Sequence, residues 1–375
     1  IARQMRLSKF EQPLFDTDSY NGFGRKTRTG FNPTGGPVPK FNEVKNNSGV
    51  EIVDDKTLKF KTYRVKETLD NFATPDFVSG ALHSFNGTQD YERFGGSKVS
   101  KELFYRLFQQ RSDNPKFVNK IFEKKFDFII VELGLTEILN TIFNSQNYST
   151  ISLSDEKTIF NDNVNEDSPL SISPKLSFLR QIKENKTRFG CLLNVPDILE
   201  VPYFKQINQN LILKNLGNIP IKYGSSNEKY KYLDINKDKL LPFSSVDSLL
   251  SSKVHISLKR GIYNNQPLNE SVTVQGNTLD GINFLVSSTN LEIANLSRKF
   301  NFPIVDINSL YKNIINKKYV LDSGIIIDAN SFFSSDGIYP SITGQVIIAN
   351  EVIKTLNLFY ETEIPLISMQ EYIAQ

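Results

Sequence analysis

The chain is poor in the residues that build covalent or metal-bound frameworks. It has 375 residues but only one cysteine, Cys191, and two histidines, His83 and His255. A single thiol excludes an internal disulfide framework, and the apolar run GCLLNVP around Cys191 favours a small buried hydrophobe. No spacing of cysteine and histidine matches a metal-binding motif, so the sequence predicts neither a metal site nor a cofactor.

Long hydrophobic runs and strong charge are also missing. No apolar run reaches the roughly 18 to 20 residues that span a bilayer. The formal net charge is +3, and the basic runs are pairs such as Lys124-Lys125, which is too little positive charge to predict nucleic-acid binding. The sequence begins at Ile1 without an initiator methionine, and we expect any secretion signal or lipid-attachment site to lie upstream of it.

Three near-continuous apolar runs are typical of strands that are buried on both faces of a parallel sheet. They are FDFIIVELGL at 126–135, RFGCLLNVPDI at 188–198 and FPIVDINSLY at 302–311. Segments with the 3.6-residue period of a helix lie between them, notably LDGINFLVSSTNLEIANLSRKF at 279–300. Alternating strands and helices predict an α/β protein with a parallel sheet.

Three segments interrupt this alternation. Residues 33–64 include a stretch rich in Gly, Pro, Asn and Lys, and they are predicted to form a loop and a hairpin. Residues 143–175 are polar and are predicted to form a surface excursion. Residues 222–278 are too long for an α/β connection, so they predict an inserted lobe. With no internal repeat, residues 1–375 are predicted to form one α/β domain with these additions.

Four stretches resemble, in order and spacing, the successive sequence blocks of the SGNH/GDSL hydrolase family. They are NFATPDF at 71–77, VELGLTEIL at 131–139, NVPDILEVPYF at 194–204 and SSDGIYPSITGQVIIANEVIKTLN at 334–357. The chain looks most like the large bacterial branch of secreted or surface lipoproteins. This resemblance implies a flavodoxin-like three-layer α/β/α sandwich, and most characterised members of the family are esterases, lipases or deacetylases.

The positions that carry catalysis in that family are altered here. The family's nucleophilic serine belongs to a first block that the sequence does not show, since IARQMRLSKFEQPLF resembles the helix and loop that follow it. Asp76 stands where the family has an oxyanion glycine, and a carboxylate opposes a developing oxyanion. The family's Gly-x-Asn-Asp block corresponds to Gly134, Leu135, Thr136 and Glu137, so a threonine replaces the amide donor.

The last block keeps Asp336 but has Tyr339 in place of the family's histidine. Imidazole suits a general base because its pKa is about 6.5, close to neutral pH. A phenol has a pKa of about 10, so Tyr339 is protonated at pH 7 and donates where a base has to accept. The residues DGIYPS are instead predicted to form a turn, with a helix that starts within a few residues of Pro340.

Other titratable residues are weaker candidates. His83 follows the second block and His255 lies in the predicted lobe, and a surface hydrogen bond is the simpler role for a lone loop histidine. Glu137 and Asp336 could form a carboxylate pair for acid–base work. However, Glu137 more simply begins a helix, whose dipole an acidic residue complements.

The resemblance and its departures lead to three hypotheses. The favoured one is a catalytically inactive SGNH-like protein that serves as a binding or structural subunit of an outer-membrane surface complex, because a fold can persist while its site decays. The second is an active esterase or deacetylase on acylated glycans or lipids, using an upstream serine. The third is a carbohydrate- or lipid-binding module. We expect an exported protein at the outer membrane or in the periplasm, with membrane association only through a lipid anchor outside this sequence.

Overall fold

The structure, a computed structural model, describes most of the chain from residue 117 onward and short pieces before it. The described residues are 1–7, 10, 25–31, 39–44, 50–52, 58–60, 70–73, 117–143, 174–205, 207, 209–222, 230–234, 236–241, 244–251, 254–274, 276–334 and 336–370. Asp76, His83 and residues 144–173 of the predicted polar excursion lie outside them.

The described residues form thirteen short strands and ten α-helices. The strands are β1 Arg25–Phe31, β2 Pro39–Val44, β3 Val50–Ile52, β4 Leu58–Phe60, β5 Phe128–Glu132, β6 Phe189–Leu193, β7 Pro220–Lys222, β8 Tyr230–Tyr232, β9 Lys239–Leu240, β10 Thr273–Val274, β11 Ile304–Val305, β12 Tyr319–Val320 and β13 Ile326–Ile327. The helices are α1 Phe117–Phe122, α2 Leu135–Phe143, α3 Pro174–Glu184, α4 Pro202–Lys205, α5 Gln209–Leu216, α6 Ser244–Leu250, α7 Gly276–Phe300, α8 Ile307–Ile315, α9 Ala329–Phe332 and α10 Ile342–Tyr360.

A parallel sheet forms the centre of the described fold. Its strand order is β11-β6-β5, with Ile130 of β5 opposite Cys191 and Ile304 of β11 opposite Leu192. Helices α7 and α10 both contact β6. This arrangement confirms the predicted α/β class with a parallel sheet.

The third strand is shorter than predicted. It ends at Val305, and the side chain of Asp306 then accepts a hydrogen bond from the N–H of Ser309 at 3.0 Å, which caps helix α8. The prediction of one strand over 302–311 is therefore wrong in its second half, because an N-cap at Asp306 starts a helix there.

The main hydrophobic core lies between the sheet and the surrounding helices. Cys191 and Ile347 are fully buried in it, together with Ile182 of α3 and Ile314 of α8. The prediction that Cys191 is a buried hydrophobe is confirmed, and its burial raises the pKa of the thiol to about 12. A thiol in this state is a packing residue and not a nucleophile.

Two asparagines of α10 hold the segment that follows the helix. The Asn350 side chain accepts from the N–H of Ile367 at 2.8 Å and donates to the carbonyl of the same residue at 3.0 Å. Asn357 makes the same pair of bonds with Ile364, both at 2.9 Å. Each of these carboxamide clamps satisfies both backbone groups of one residue, so the C-terminal segment folds back along α10.

Residues of the predicted lobe share a second hydrophobic cluster with buried residues between positions 207 and 221. Strand β7 pairs with β8, and β9 pairs with β10, both antiparallel. The buried residues of this second cluster are Ile207, Ile212, Ile219, Ile221, Leu233, Leu240, Val246, Leu249, Leu268 and Val272. The apolar interior of the lobe is thus formed together with residues that precede it in the chain.

Candidate functional site

Each strand of the parallel sheet is followed or ended by a polar residue at its carboxyl end. Glu132 ends β5, Asn194 follows β6 and Asp306 follows β11. The carboxyl ends of parallel strands lie at one edge of a sheet, which is where α/β proteins most often bind ligands. This edge is the candidate site.

Hydrogen bonds tie the ends of β6 and β11 together. Asn194 donates from its Nδ2 to Asp306 Oδ1 at 2.8 Å, and it accepts from the N–H of Asn308 at 2.9 Å. Burial opposes ionisation of Asp306, but hydrogen bonds from Ser309 and Asn194 and the charge of Lys312 together lower its pKa. Asp306 is therefore an ionised carboxylate that holds the site's framework.

A side chain of helix α7 also fixes the loop that follows β6. Asn290 Oδ1 accepts from the N–H of Val195 at 2.7 Å, and its Nδ2 donates to the Val195 carbonyl at 2.9 Å. The same carbonyl also accepts from Asn308 at 3.0 Å. Both the N–H and the carbonyl of Val195 are thereby hydrogen-bonded, which holds the loop after β6 in place.

Gly134 allows the chain to turn tightly after β5. Its φ is +124°, and a Cβ at this position would lie 2.7 Å from Thr289 Cγ2 of α7. Thr136 and Glu137 lie in the first turn of α2, so the prediction that Glu137 begins a helix is confirmed. The positive φ and this close approach together explain the glycine.

Asp336 and Tyr339 lie in the turn between α9 and α10. The Oδ1 of Asp336 accepts hydrogen bonds from the N–H groups of Ile338, at 2.7 Å, and Tyr339, at 2.9 Å. Gly337 has a φ of +72°, and Ser341 caps α10 by accepting from the N–H of Gly344 at 3.1 Å. The predicted turn followed by a helix is confirmed, and the Asp336 carboxylate is its internal brace.

Three buried aromatic rings support this turn. Tyr311, Phe332 and Phe333 pack edge to face, with ring centroids 4.9 to 5.2 Å apart. Burial raises the pKa of Tyr311, and the negative charges of Glu132 and Asp336 raise it further. Tyr311 is therefore a neutral phenol that packs against both phenylalanine rings.

Glu132 is the titratable residue that distinguishes this edge. The residue is exposed as a whole, but burial around its carboxyl group raises its pKa. A hydrogen bond from the backbone of Leu135 opposes this shift, and the charge of Glu137 adds to it. A carboxyl with a raised pKa can hold and release a proton closer to neutral pH than an ordinary glutamate.

Replacing Glu132 with glutamine is expected to increase the free energy of unfolding at pH 7 and to leave it unchanged below about pH 4. The folded state holds this proton more tightly than the unfolded state, so the wild-type chain loses stability as the pH rises above the ordinary glutamate pKa of about 4.3. Glutamine stays neutral and keeps an oxygen that can accept from Leu135. Solvent screening at this exposed residue limits the gain to under about 1 kcal/mol.

Urea denaturation at a series of pH values measures this effect, with Glu184→Gln at an exposed position of α3 as the matched control. An equal change in stability at both ends of the pH range would contradict the environment described for Glu132.

The structure brings some of the predicted site residues together and leaves others apart. Gly134, Thr136, Asp336 and Tyr339 belong to loops and helix starts at the carboxyl edge of the sheet, whereas Asp76 is outside the described residues. His255 lies on the lobe, with its Nδ1 2.6 Å from Ser257 Oγ.

Sequence reasoning missed Glu132 and Tyr311. A signal for Glu132 was present, because it is the one charged residue at the end of the apolar run FIIVE. Tyr311 had no such signal, since it lies in a helix where the sequence predicts a strand.

Together, the parallel sheet and the polar residues at its carboxyl edge define an α/β protein with a candidate ligand site. Scans of protein-family models, curated proteins and solved structures give no match to this chain. Across the described residues, no group of three or more His, Cys, Asp or Glu side chains is arranged to hold a metal ion. None of the described helices is both long and apolar enough to cross a membrane.

Proposed function

We propose that this chain is a non-catalytic relative of the SGNH hydrolases that serves as a binding or structural subunit of a bacterial surface complex. Its fold is then a flavodoxin-like three-layer α/β/α sandwich, of which the β11-β6-β5 sheet is the central part. The order of its sequence blocks supports this proposal. The same resemblance implies export and attachment at the outer membrane.

The main observation in support of the proposal is the pair of hydrogen bonds that the Asp336 side chain accepts. In an acid–base pair the carboxylate orients an imidazole and stabilises its charged form. Here Asp336 Oδ1 accepts instead from two backbone N–H groups of its own turn. The residue at the histidine position, Tyr339, is 45% exposed and carries a phenol in place of an imidazole. The bracing of the turn therefore accounts for Asp336 without any chemistry.

The residues at the family's oxyanion-hole positions also support a non-catalytic role. Thr136 is fixed in the first turn of α2, after a glycine whose role is the close approach to Thr289. Glu132 adds a carboxyl group at the same edge, and negative charge there opposes a developing oxyanion. The edge is thus better suited to holding a neutral or cationic group than to stabilising an anionic intermediate.

Hydrolysis of p-nitrophenyl acetate tests this proposal directly. We expect the purified chain to give no turnover above the rate without protein, and the Tyr339→His variant to be equally inactive, because an imidazole alone supplies neither nucleophile nor oxyanion donors. Tyr339→Phe is the matched control for loss of the hydroxyl. Saturable turnover by the wild-type chain, or robust turnover after Tyr339→His alone, would contradict the proposal and favour the esterase.

A carbohydrate-binding module at the same edge is the second candidate. It is favoured by the exposed Glu132 and Tyr339, which offer a carboxyl and a hydroxyl to a polyhydroxylated ligand beside a rigid framework. Saturable glycan binding without turnover, weakened by Tyr339→Ala, would favour this module over a purely structural subunit.

A further inference from the structure

The lobe presents large apolar side chains that the second hydrophobic cluster does not include. Ile256 and Leu258 are 52% and 72% exposed, on a single-turn 3-10 helix that buries none of its residues. Tyr263, in the same loop, is 46% exposed. We call residues 255–264 the lobe tip. Several exposed apolar side chains in one loop are typical of a contact surface, whereas on other surfaces such residues occur singly.

The lobe tip lies in a positively charged part of the sequence. Residues 248–269 contain Lys253, Lys259 and Arg260 and no aspartate or glutamate. Lys259 and Arg260 directly follow the exposed Leu258, and within the part of the chain that the structure describes neither forms an ion pair. The apolar turn is therefore bordered by cations that are available to an anionic partner.

Hydrogen bonds hold the lobe tip in a fixed shape. The N–H of Leu258 donates to the His255 carbonyl at 2.9 Å, and the N–H of Gly261 donates to the Gln266 carbonyl at 2.7 Å. Gly261 has a φ of +86° and packs so closely on Leu268 that a Cβ would lie 2.7 Å from its Cγ. The exposed side chains are thus presented from a turn that is anchored in the lobe's core.

Two further tyrosines border the lobe tip. The hydroxyl of Tyr232 lies 3.4 Å from Asn264 Oδ1, and its ring packs edge to face with Tyr230 at a centroid distance of 5.6 Å. Both rings are at least one-third exposed. Tyrosine is enriched where proteins meet the membrane–water interface, because its ring is apolar and its hydroxyl is polar.

We propose that the lobe tip is a contact site for an anionic lipid surface, in which Ile256 and Leu258 enter the headgroup region while Lys259 and Arg260 pair with lipid phosphates. Interfacial binding grows with the apolar area that is inserted and with the attraction of cations to anionic lipids. A stable protein interface uses about 20 to 30 residues on each side, which is far more than the lobe tip offers. This contact is independent of the proposed function and acts through the chain itself, in addition to any lipid anchor.

Flotation with lipid vesicles tests the contact with the full chain. We expect binding to phosphatidylcholine vesicles that contain about one third phosphatidylglycerol, and weaker binding when the salt is raised from about 0.1 M to about 1 M, because salt screens exposed charges. Pure phosphatidylcholine vesicles should bind much less. Equal binding to both kinds of vesicle, or no binding to the anionic ones, would overturn the proposal.

Variants separate the apolar and the charged parts of the contact. Leu258→Asp is expected to weaken binding at least about 10-fold. The double variant Lys259→Ser, Arg260→Ser is expected to weaken it about 25-fold, from about fivefold for each cation. The matched control is Leu358→Asp on α10, which changes a leucine that is 86% exposed and near Glu361. It should alter binding less than about twofold.

Two results would reassign the lobe tip. An equal loss of binding in Leu358→Asp would show that the effect is not specific to it. Concentration-dependent dimerisation in sedimentation experiments, abolished by Leu258→Asp and without vesicle binding, would make a second copy of the chain its partner. If Leu258→Asp lowers the midpoint of thermal unfolding, its loss of binding no longer tests the contact by itself. The double variant Lys259→Ser, Arg260→Ser then decides whether the lobe tip binds anionic lipid, because it leaves the apolar residues in place.

Discussion

Replacing Gly344 with alanine is expected to lower the free energy of unfolding by about 3 kcal/mol, at the upper end of the usual cost of overpacking. A Cβ at this position would overlap the carbonyl oxygen of Phe332 and would lie 2.8 Å from the Cβ of Pro340. Neither neighbour can yield easily, since one is backbone and the other is a proline ring. The first turn of α10 would have to move away from the turn that contains Asp336.

Urea denaturation measures this loss, and Gly281→Ala provides a matched control in α7. No atom lies within 4 Å of a Cβ built at Gly281, which is exposed in the helix interior. Alanine there is expected to stabilise the chain by about 0.5 to 1 kcal/mol, because it favours the helix. Wild-type stability in Gly344→Ala would contradict the close packing of α10 on the Phe332 carbonyl.

Replacing Phe332 with alanine is expected to lower the free energy of unfolding by about 3 to 5 kcal/mol. Phe332 is fully buried and contacts the rings of Tyr311 and Phe333, so its removal leaves a cavity that rigid rings cannot fill. The loss is measured by the urea midpoint and by the near-ultraviolet spectrum of the tyrosines.

The matched control is Phe284→Ala on α7, where the side chain is 44% exposed. It is expected to cost less than about 1 kcal/mol, because little apolar area returns to water. A similar loss in both variants would mean that Phe332 is not part of a tightly packed cluster.

The strands β5 and β6 could be predicted from the sequence because each is a continuous apolar run that no polar residue interrupts. The third strand could not, since its apolar residues run on into a helix. The N-cap at Asp306, with Ser309 three residues later, separates the two elements. The N-cap therefore determines the structure here, although the hydrophobic pattern alone predicts one strand.

The candidate site was only partly predictable for a different reason. The Asp336–Tyr339 turn depends on local residues, and its glycine and proline are visible in the sequence. The neighbourhood of Glu132 and Tyr311 depends on three elements far apart in the chain, so no local pattern reveals it. The strand pairs of the lobe are two or three residues long, which is too short for a periodic signal.

The carboxamide clamps on α10 have a consequence for how this protein ages. Deamidation of Asn350 or Asn357 would turn a group that both donates and accepts into a carboxylate that only accepts. The new oxygen would then face the carbonyl of Ile367 or Ile364, to which the amide nitrogen now donates. One spontaneous chemical change, without cleavage of the chain, would thus weaken one of the two clamps that hold the C-terminal segment on the helix.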